Sequence, residues 1–266
     1  VVEPTCPGVV ERYIDLSGFY DRTGLQPLKE QILDATAEYQ GHYKRVYRCL
    51  GAAGELRRDL NELLADESVR HKLAKRAAGI ISRELKKPGG SGQESQRFLS
   101  AVTHQGLVTL WETVEAQANR VYELADSYGL AHDLLNPILT AALAAGHRAI
   151  VCPDPMAPDR LAHLIFPDLS LAFVTSAGEA PWPHHAYRRL RLDAMADAEA
   201  CRANRPRLRF TRKVAAALVD EGVAALTQAK QAHDRLEQLY NPHVDFSGVT
   251  TLADQLADQV LSLNRI

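Results

Sequence analysis

The feature that most constrains the fold is a helical pattern of unusual length. From Arg207 to Tyr240 apolar positions recur at helical spacing, with Phe210, Val214, Leu218, Ala225, Ala229, Leu236 and Tyr240 on one side. At about 1.5 Å per residue an uninterrupted helix of that span approaches ~50 Å, more than a small sheet can cover. Its far end needs a second partner. A counterpart lies upstream, where Tyr39, Tyr43, Val46, Leu50, Ala53, Leu60 and Leu64 form one apolar stripe from about Leu28 onward. Pro27 suits its first turn. A gapless shift of 176 positions pairs Glu3 with Glu179, Pro7 with Pro183, Leu16 with Leu192 and Asp21 with Asp197. It also pairs Leu50 with Leu226, Ala53 with Ala229 and Leu60 with Leu236. The matches suggest an internal repeat with the two long helices packed side by side.

The rest of the chain is that of a globular protein. Its 266 residues, 46% hydrophobic and 24% charged, exclude disorder and collagen and allow one large domain or two small ones. A net charge of −2 makes no case for nucleic acid. Cys6, Cys49, Cys152 and Cys201 lie far apart without C-x-x-C spacing, the usage of free thiols in a reducing compartment. No run reaches the roughly 18 apolar residues of a membrane helix. The start, Val1-Val2-Glu3-Pro4, lacks the basic flank and apolar core of a signal peptide, so a cytoplasmic location is expected. Opening on Val, with Pro4, Pro7 and Gly8 before any regular element, it reads as a trimmed or partial protein.

One linker-like segment, residues 88–95 within Lys86-Lys87-Pro88-Gly89-Gly90-Ser91-Gly92-Gln93, marks the expected domain boundary. Before it, residues 1–87 are helical and end in a helix, Val69 to Leu85, with a basic exposed face. After it, in residues 96–266, the short apolar runs Leu107–Trp111, Val121–Leu124, Ala149–Cys152 and Leu169–Thr175 read as buried strands. Between the second and third lies an Ala- and Leu-rich helix, Asp133 to Ala145, closed by Gly146 as C-cap. Strand, turn, helix, strand is the crossover unit of a parallel α/β sheet, so the predicted fold class is α/β with a small mainly parallel sheet and long flanking helices.

In such a sheet ligands bind beyond the carboxyl ends of the strands, which singles out the turn Ala125-Asp126-Ser127-Tyr128-Gly129-Leu130-Ala131-His132. Here the sequence resembles a bacterial family of tandem P-loop ATPase-like proteins, in which two related halves each carry a phosphate-binding loop. Phe98 to Gly106 resembles the entry to the family's second half, and Cys152-Pro153-Asp154-Pro155 with His163 to Leu169 the segment after its P-loop helix. Ala229 to Glu237, Tyr240 and Asp245-Phe246 are similar to its closing helix and tail, and Pro7-Gly8 through Ile14-Asp15-Leu16 to the first half downstream of its nucleotide site.

The loop departs from that pattern. A working G-x-x-x-x-G-K-[ST] needs glycines so that amides wrap the phosphates, a lysine for their charge and a hydroxyl for magnesium. Those four positions are Ala125, Leu130, Ala131 and His132. All four are lost: Leu130 is expected to obstruct the amides, Ala131 removes the cation, His132 offers imidazole to magnesium and Asp126 adds negative charge, while Gly129, the one glycine of the turn, falls between the pattern's glycine positions. The run ending in Thr175-Ser176 supplies no carboxylate for a metal. The expectation is a degenerate, non-hydrolysing nucleotide-fold protein, with ATP and magnesium bound only if the site has rearranged. Two alternatives stand beside it: part of an active ATP-dependent hydrolase or nucleotide kinase whose competent loop lies upstream of Val1, and a helical interaction module that meets a protein partner or a second copy through its long helices.

Other groups carry weaker signals. Cys152, His163, His184 and His185 are metal-ligating types without a zinc spacing. His233, Asp234 and Glu237 share a helix face, where ordinary side-chain pairs are the simpler reading. Arg188, Arg189 and Arg191, then Arg202 to Lys213, form the most basic stretch and read as a solvated or partner-facing surface. Trp182 between two prolines reads as a loop anchor.

Overall fold

The computed structural model describes residues 8–9, 11–85, 89–177 and 180–263. They fall into two compact units, His42–Thr227 and Val1–Gly41 with Gln228–Ile266. In chain order the helices are α1 (Arg22–Leu25), α2 (Lys29–Leu64), α3 (Glu67–Glu84), α4 (Trp111–Gln117), α5 (Ala131–Ala144), α6 (Ala198–Ala203), α7 (Arg205–Tyr240) and α8 (Phe246–Leu263). The strands are β1 (Gln93–Gln96), β2 (Ser100–Thr103), β3 (Gly106–Thr109), β4 (Arg120–Ala125), β5 (Arg148–Asp154), β6 (Ala157–Phe166), β7 (Leu171–Ser176) and β8 (Arg188–Arg191).

The unit 42–227 is built on a six-stranded sheet of order β1-β5-β6-β7-β4-β8. Only β6 runs antiparallel to its neighbours, so the sheet is mostly parallel. The crossover read from the sequence is present: β4 leads through α5 to β5. Gly146 takes φ +86° just past α5, and its N–H closes on Leu143 O at 3.0 Å, the left-handed cap expected of it. The inner strands β4, β5 and β7 are rich in apolar residues because both their faces are covered. Tyr122, Leu124, Leu171 and Phe173 join a core with α3 and α5, while Val121, Ala172 and Val174 join a second core with Leu99, Val114 of α4 and Trp182.

A buried carboxylate ties α3 to the sheet. Glu84 accepts from Tyr122 Oη at 2.6 Å and from Arg120 Nη1 at 2.5 Å, at the start of β4. Burial pushes its carboxyl up, but the bonds from Tyr122, Arg120 and Arg83 outweigh it and leave the pKa below the usual value.

Several features differ from the sequence expectations. Leu107 to Trp111 is not one buried strand: Gly106–Thr109 pairs with β2 in a separate half-buried hairpin, and Trp111 opens α4. β6 and β8 carry no apolar alternation over their polar stretches, Pro158 to Arg160 and Arg188-Arg189, so periodicity passed over them. The division into units falls within the long helices and not at 88–95, since α3 and α5 from either side of that segment share a core. Gly92 N–H donates to Leu143 O at 3.1 Å and β1 starts at Gln93; Lys86, Lys87 and Pro88 lie outside the described residues.

In this unit α2 and α7 lie side by side, antiparallel, with Arg207 on Asp59 at 2.7 Å and Arg45 on Glu221 at 2.6 Å. In the other unit they do so again, with Arg235 on Glu38 at 2.5 Å and Tyr39 beside His233. Both helices have 36 residues, and their bounds are related by the shift of 176 seen in the sequence. The same shift relates two capping carboxylates: Asp21 accepts from Thr23 and Gly24 N–H, and Asp197 from Glu199 and Ala200 N–H. The 18-residue helices α3 and α8 follow at a shift of 179, with Asp66 and Asp245 each accepting from the amide three residues on. Even a backbone bond recurs, Asp197 N–H to Leu64 O in one unit and Asp21 N–H to His243 O in the other.

Candidate functional site

The turn after β4 lies where the sequence pattern placed it. Ala125 is the last residue of β4, paired between Ser176 and Arg191. Asp126 then turns its carboxylate back under the start of α5, where Oδ2 accepts from Ala131 N–H at 2.7 Å, Oδ1 from Tyr128 N–H at 3.0 Å, and the Leu130 amide adds a third bond. Burial pushes this carboxyl up, against the lowering effect of the three amides. The free N–H groups of the helix N-terminus, which suit an anion, are thus turned to a side chain of the chain itself.

The remaining loop residues follow from that arrangement. Gly129 supplies φ +75°, and its carbonyl accepts from Asn61 Nδ2 at 3.0 Å and Arg160 Nη2 at 2.8 Å. The Leu130 side chain is fully buried in the core and so does not obstruct the amides; Asp126 occupies them. Ser127, the one hydroxyl of the loop apart from Tyr128, is bonded to Asp193 through its N–H at 2.7 Å and its Oγ at 2.8 Å. His132 Nδ1 accepts from Leu161 N–H at 3.0 Å. Burial, helped by Arg160, lowers the His132 pKa and keeps the ring neutral at pH 7.

Asp126, Gly129, Ala131 and His132 border a cavity of about 560 Å³ within unit 42–227, a volume typical of small-molecule sites. Four cationic side chains line it, Arg57, Arg160, Arg212 and Lys213, against the carboxylates of Asp126 and Asp154. Arg212 lies 4.7 Å from the centre of the Tyr128 ring. Apolar lining comes from Leu60, Leu107, Met156, Leu161 and Ala215.

One lining group is a short chain of polar side chains, the buried His163 and Ser100 and the half-buried Thr109. His163 Nδ1 accepts from Thr175 N–H at 3.1 Å, so its proton sits on Nε2, which faces Ser100 Oγ at 3.4 Å. Ser100 Oγ lies 3.0 Å from Thr109 Oγ1. Burial pushes the imidazole down to about 4. Sequence reading missed Ser100, Thr109, Arg57 and Arg160; they come from four separate elements, and no local pattern links them. Arg212 and Lys213 were visible as the end of the basic stretch.

The other candidates separate. Cys152 and His163 are opposed on β5 and β6, but burial pushes the Cys152 thiol up to about 11, and His184 pairs instead with Glu115. Cys6 lies outside the described residues. Among the described residues only His233, Asp234 and Glu237 bring three ligating atoms within 4.8 Å. There His233 faces Glu237 at 3.3 Å and Lys230 meets Asp234 at 2.5 Å, ordinary pairs along a helix. Of the basic stretch, Arg189 pairs with Glu123 and Arg207 with Asp59. Trp182 is buried against Trp111 with ring centres 5.3 Å apart, a loop anchor. Among the described residues no helix is long and apolar enough to cross a membrane. Comparison of the chain with models of protein families, with curated proteins and with solved structures gave no match.

Proposed function

We propose that residues 42–227 form a P-loop NTPase-like domain that does not hydrolyse nucleotide, and that this pseudo-NTPase serves a structural or regulatory role. The observation that carries the reading is the Asp126 carboxylate on the amides of Tyr128, Leu130 and Ala131. A phosphate-binding loop works through unpaired amides, a lysine and a hydroxyl for magnesium. Here the amides hold a carboxylate, Ala131 takes the lysine's place, and the Ser127 hydroxyl is bonded to Asp193. Bringing in a triphosphate would set its charge against Asp126 and break three bonds to gain them back. The strand, turn, helix, parallel strand order of β4, α5 and β5 supports the fold half of the reading.

The test is calorimetry and phosphate release with Mg-ATP and Mg-GTP. Neither magnesium-dependent binding at millimolar nucleotide nor turnover is expected. Saturable, magnesium-dependent binding in the micromolar range overturns the reading.

A further inference from the structure

We infer that the 560 Å³ cavity in unit 42–227 binds a small organic oxyanion with an apolar body, through side chains and without magnesium. The inference concerns the same cavity as the proposed function but does not depend on it, since the Asp126-capped amides take no part.

Two observations point to a ligand that accepts hydrogen bonds and carries negative charge, and a third to an apolar body. The first is the ionised lining, four cations against two carboxylates: Asp126 is held by amides and Asp154 accepts from Met156 N–H at 2.8 Å. Arg160 is shared with Gly129 O and, at 4.0 Å, with Asp133, so the exposed pair Arg212 and Lys213 carries the excess. Arg212 and Lys213 are exposed at the cavity's rim, placed to draw an anion in.

The second is the direction of the buried hydrogen bonds. Because Thr175 N–H fixes the proton of His163 on Nε2, that nitrogen donates to Ser100 Oγ. Ser100 Oγ, accepting from Nε2, can give its own hydrogen to Thr109 Oγ1 at 3.0 Å, the arrangement that leaves the Thr109 hydroxyl a hydrogen for the cavity. His132 repeats the logic: its Nδ1 is taken by Leu161 N–H, so Nε2–H is a donor on the lining. The fold thus fixes one neutral donor on the lining, His132 Nε2–H, and the Thr109 hydroxyl adds a second when Ser100 donates to it.

The third is the apolar wall of Leu60, Leu107, Met156, Leu161 and Ala215, which a bare inorganic ion would leave uncovered. An oxyanion at the cationic and donor side with a hydrocarbon or aromatic body along this wall satisfies both halves.

The test uses the full chain with 1-anilinonaphthalene-8-sulfonate as fluorescent probe, and octanoate and inorganic phosphate as competitors, without magnesium. Saturable one-to-one binding, displaced by octanoate, is expected. Arg212→Gln combined with Lys213→Gln is expected to weaken it about tenfold, and Ala216→Trp, at a half-buried lining position, to abolish it with the thermal unfolding midpoint held. Thr109→Val, which removes only the hydroxyl, is expected to weaken octanoate severalfold and serves if the Trp variant fails to fold. Absence of saturable binding overturns the inference. So does binding that none of the variants changes, and displacement by phosphate but not octanoate overturns the apolar half of the assignment.

Discussion

His163 makes the acid stability of unit 42–227 calculable. Its ring is 4% exposed, and burial takes its pKa from 6.5 to about 4. The folded chain therefore keeps the ring neutral over a range in which the unfolded chain takes up a proton. Stability is full above pH 6.5 and is lost as pH falls from there toward the folded value. At 1.36 kcal/mol per pH unit, the loss between pH 7 and pH 5 comes to about 2 kcal/mol from this residue alone. His163→Asn removes the titration while its Oδ1 can still accept from Thr175 N–H, the bond made by Nδ1 at 3.1 Å. Urea unfolding of both proteins at pH 7, 6 and 5 is the assay, and the quantity read is their difference at each pH, in which other titrating groups such as His132 cancel. The variant's deficit should shrink by about 2 kcal/mol on acidification. Parallel stability curves would refute the argument, because they would mean that the ring titrates in the folded state as it does in the unfolded chain.

The remaining predictions test the frame around the site. Glu84→Ala leaves Tyr122 Oη and the Arg120 guanidinium without their buried acceptor and should cost about 3 kcal/mol in chemical denaturation; a loss under about 0.5 kcal/mol contradicts the role given to it. Because the folded pKa of Glu84 lies below 4.5, its contribution is present above that pH and lost as pH falls through the folded value. Gly146→Ala forces a side chain into φ +86° beside the Gly89 and Gly90 carbonyls, so a loss of about 1–2 kcal/mol is expected by thermal unfolding. Asp126→Ala uncaps α5 and should lower stability by about 1–2 kcal/mol, while Asp126→Asn, which keeps one acceptor, should lose less; equal losses would show that the amides are not what Asp126 serves.

What could be read from the chain was what local chemistry decides. The α5 helix and its Gly146 cap, β4, β5, most of β7 and the two long helices all announce themselves through periodicity or a single capping residue. The turn at 125–132 was likewise found, because a strand and a helix bracket it. Its inner arrangement was not: Leu130 looked like an obstruction, yet its side chain leaves for the core, and Asp126 looked like a repelling charge, yet it is the group that the amides hold. Those outcomes depend on which way a side chain turns once the core is packed. The cavity was less legible still, since Arg57, Thr109, Arg160 and Arg212 come from α2, β3, β6 and α7 and meet only in the folded unit.

The internal repeat shows where that boundary between local and tertiary information falls. Asp21 and Asp197, 176 positions apart, make the same capping bonds, and the two helices that follow have the same length, because a capping carboxylate and a helical stripe act through a few neighbouring residues. Ala53 and Ala229 are both buried, 0% and 1% exposed, and Ala53 packs with Ala215 and Val219 of α7 and with Met156. Leu16 and Leu192, related by the same shift, diverge: Leu192 is fully buried beside the sheet of unit 42–227, and Leu16 is 49% exposed. Capping and helix length thus recur wherever the sequence does, whereas burial depends on what stands beside the repeat. For this reason a pairing of identical residues across 176 positions identified matching elements correctly and could not say which of them share a core.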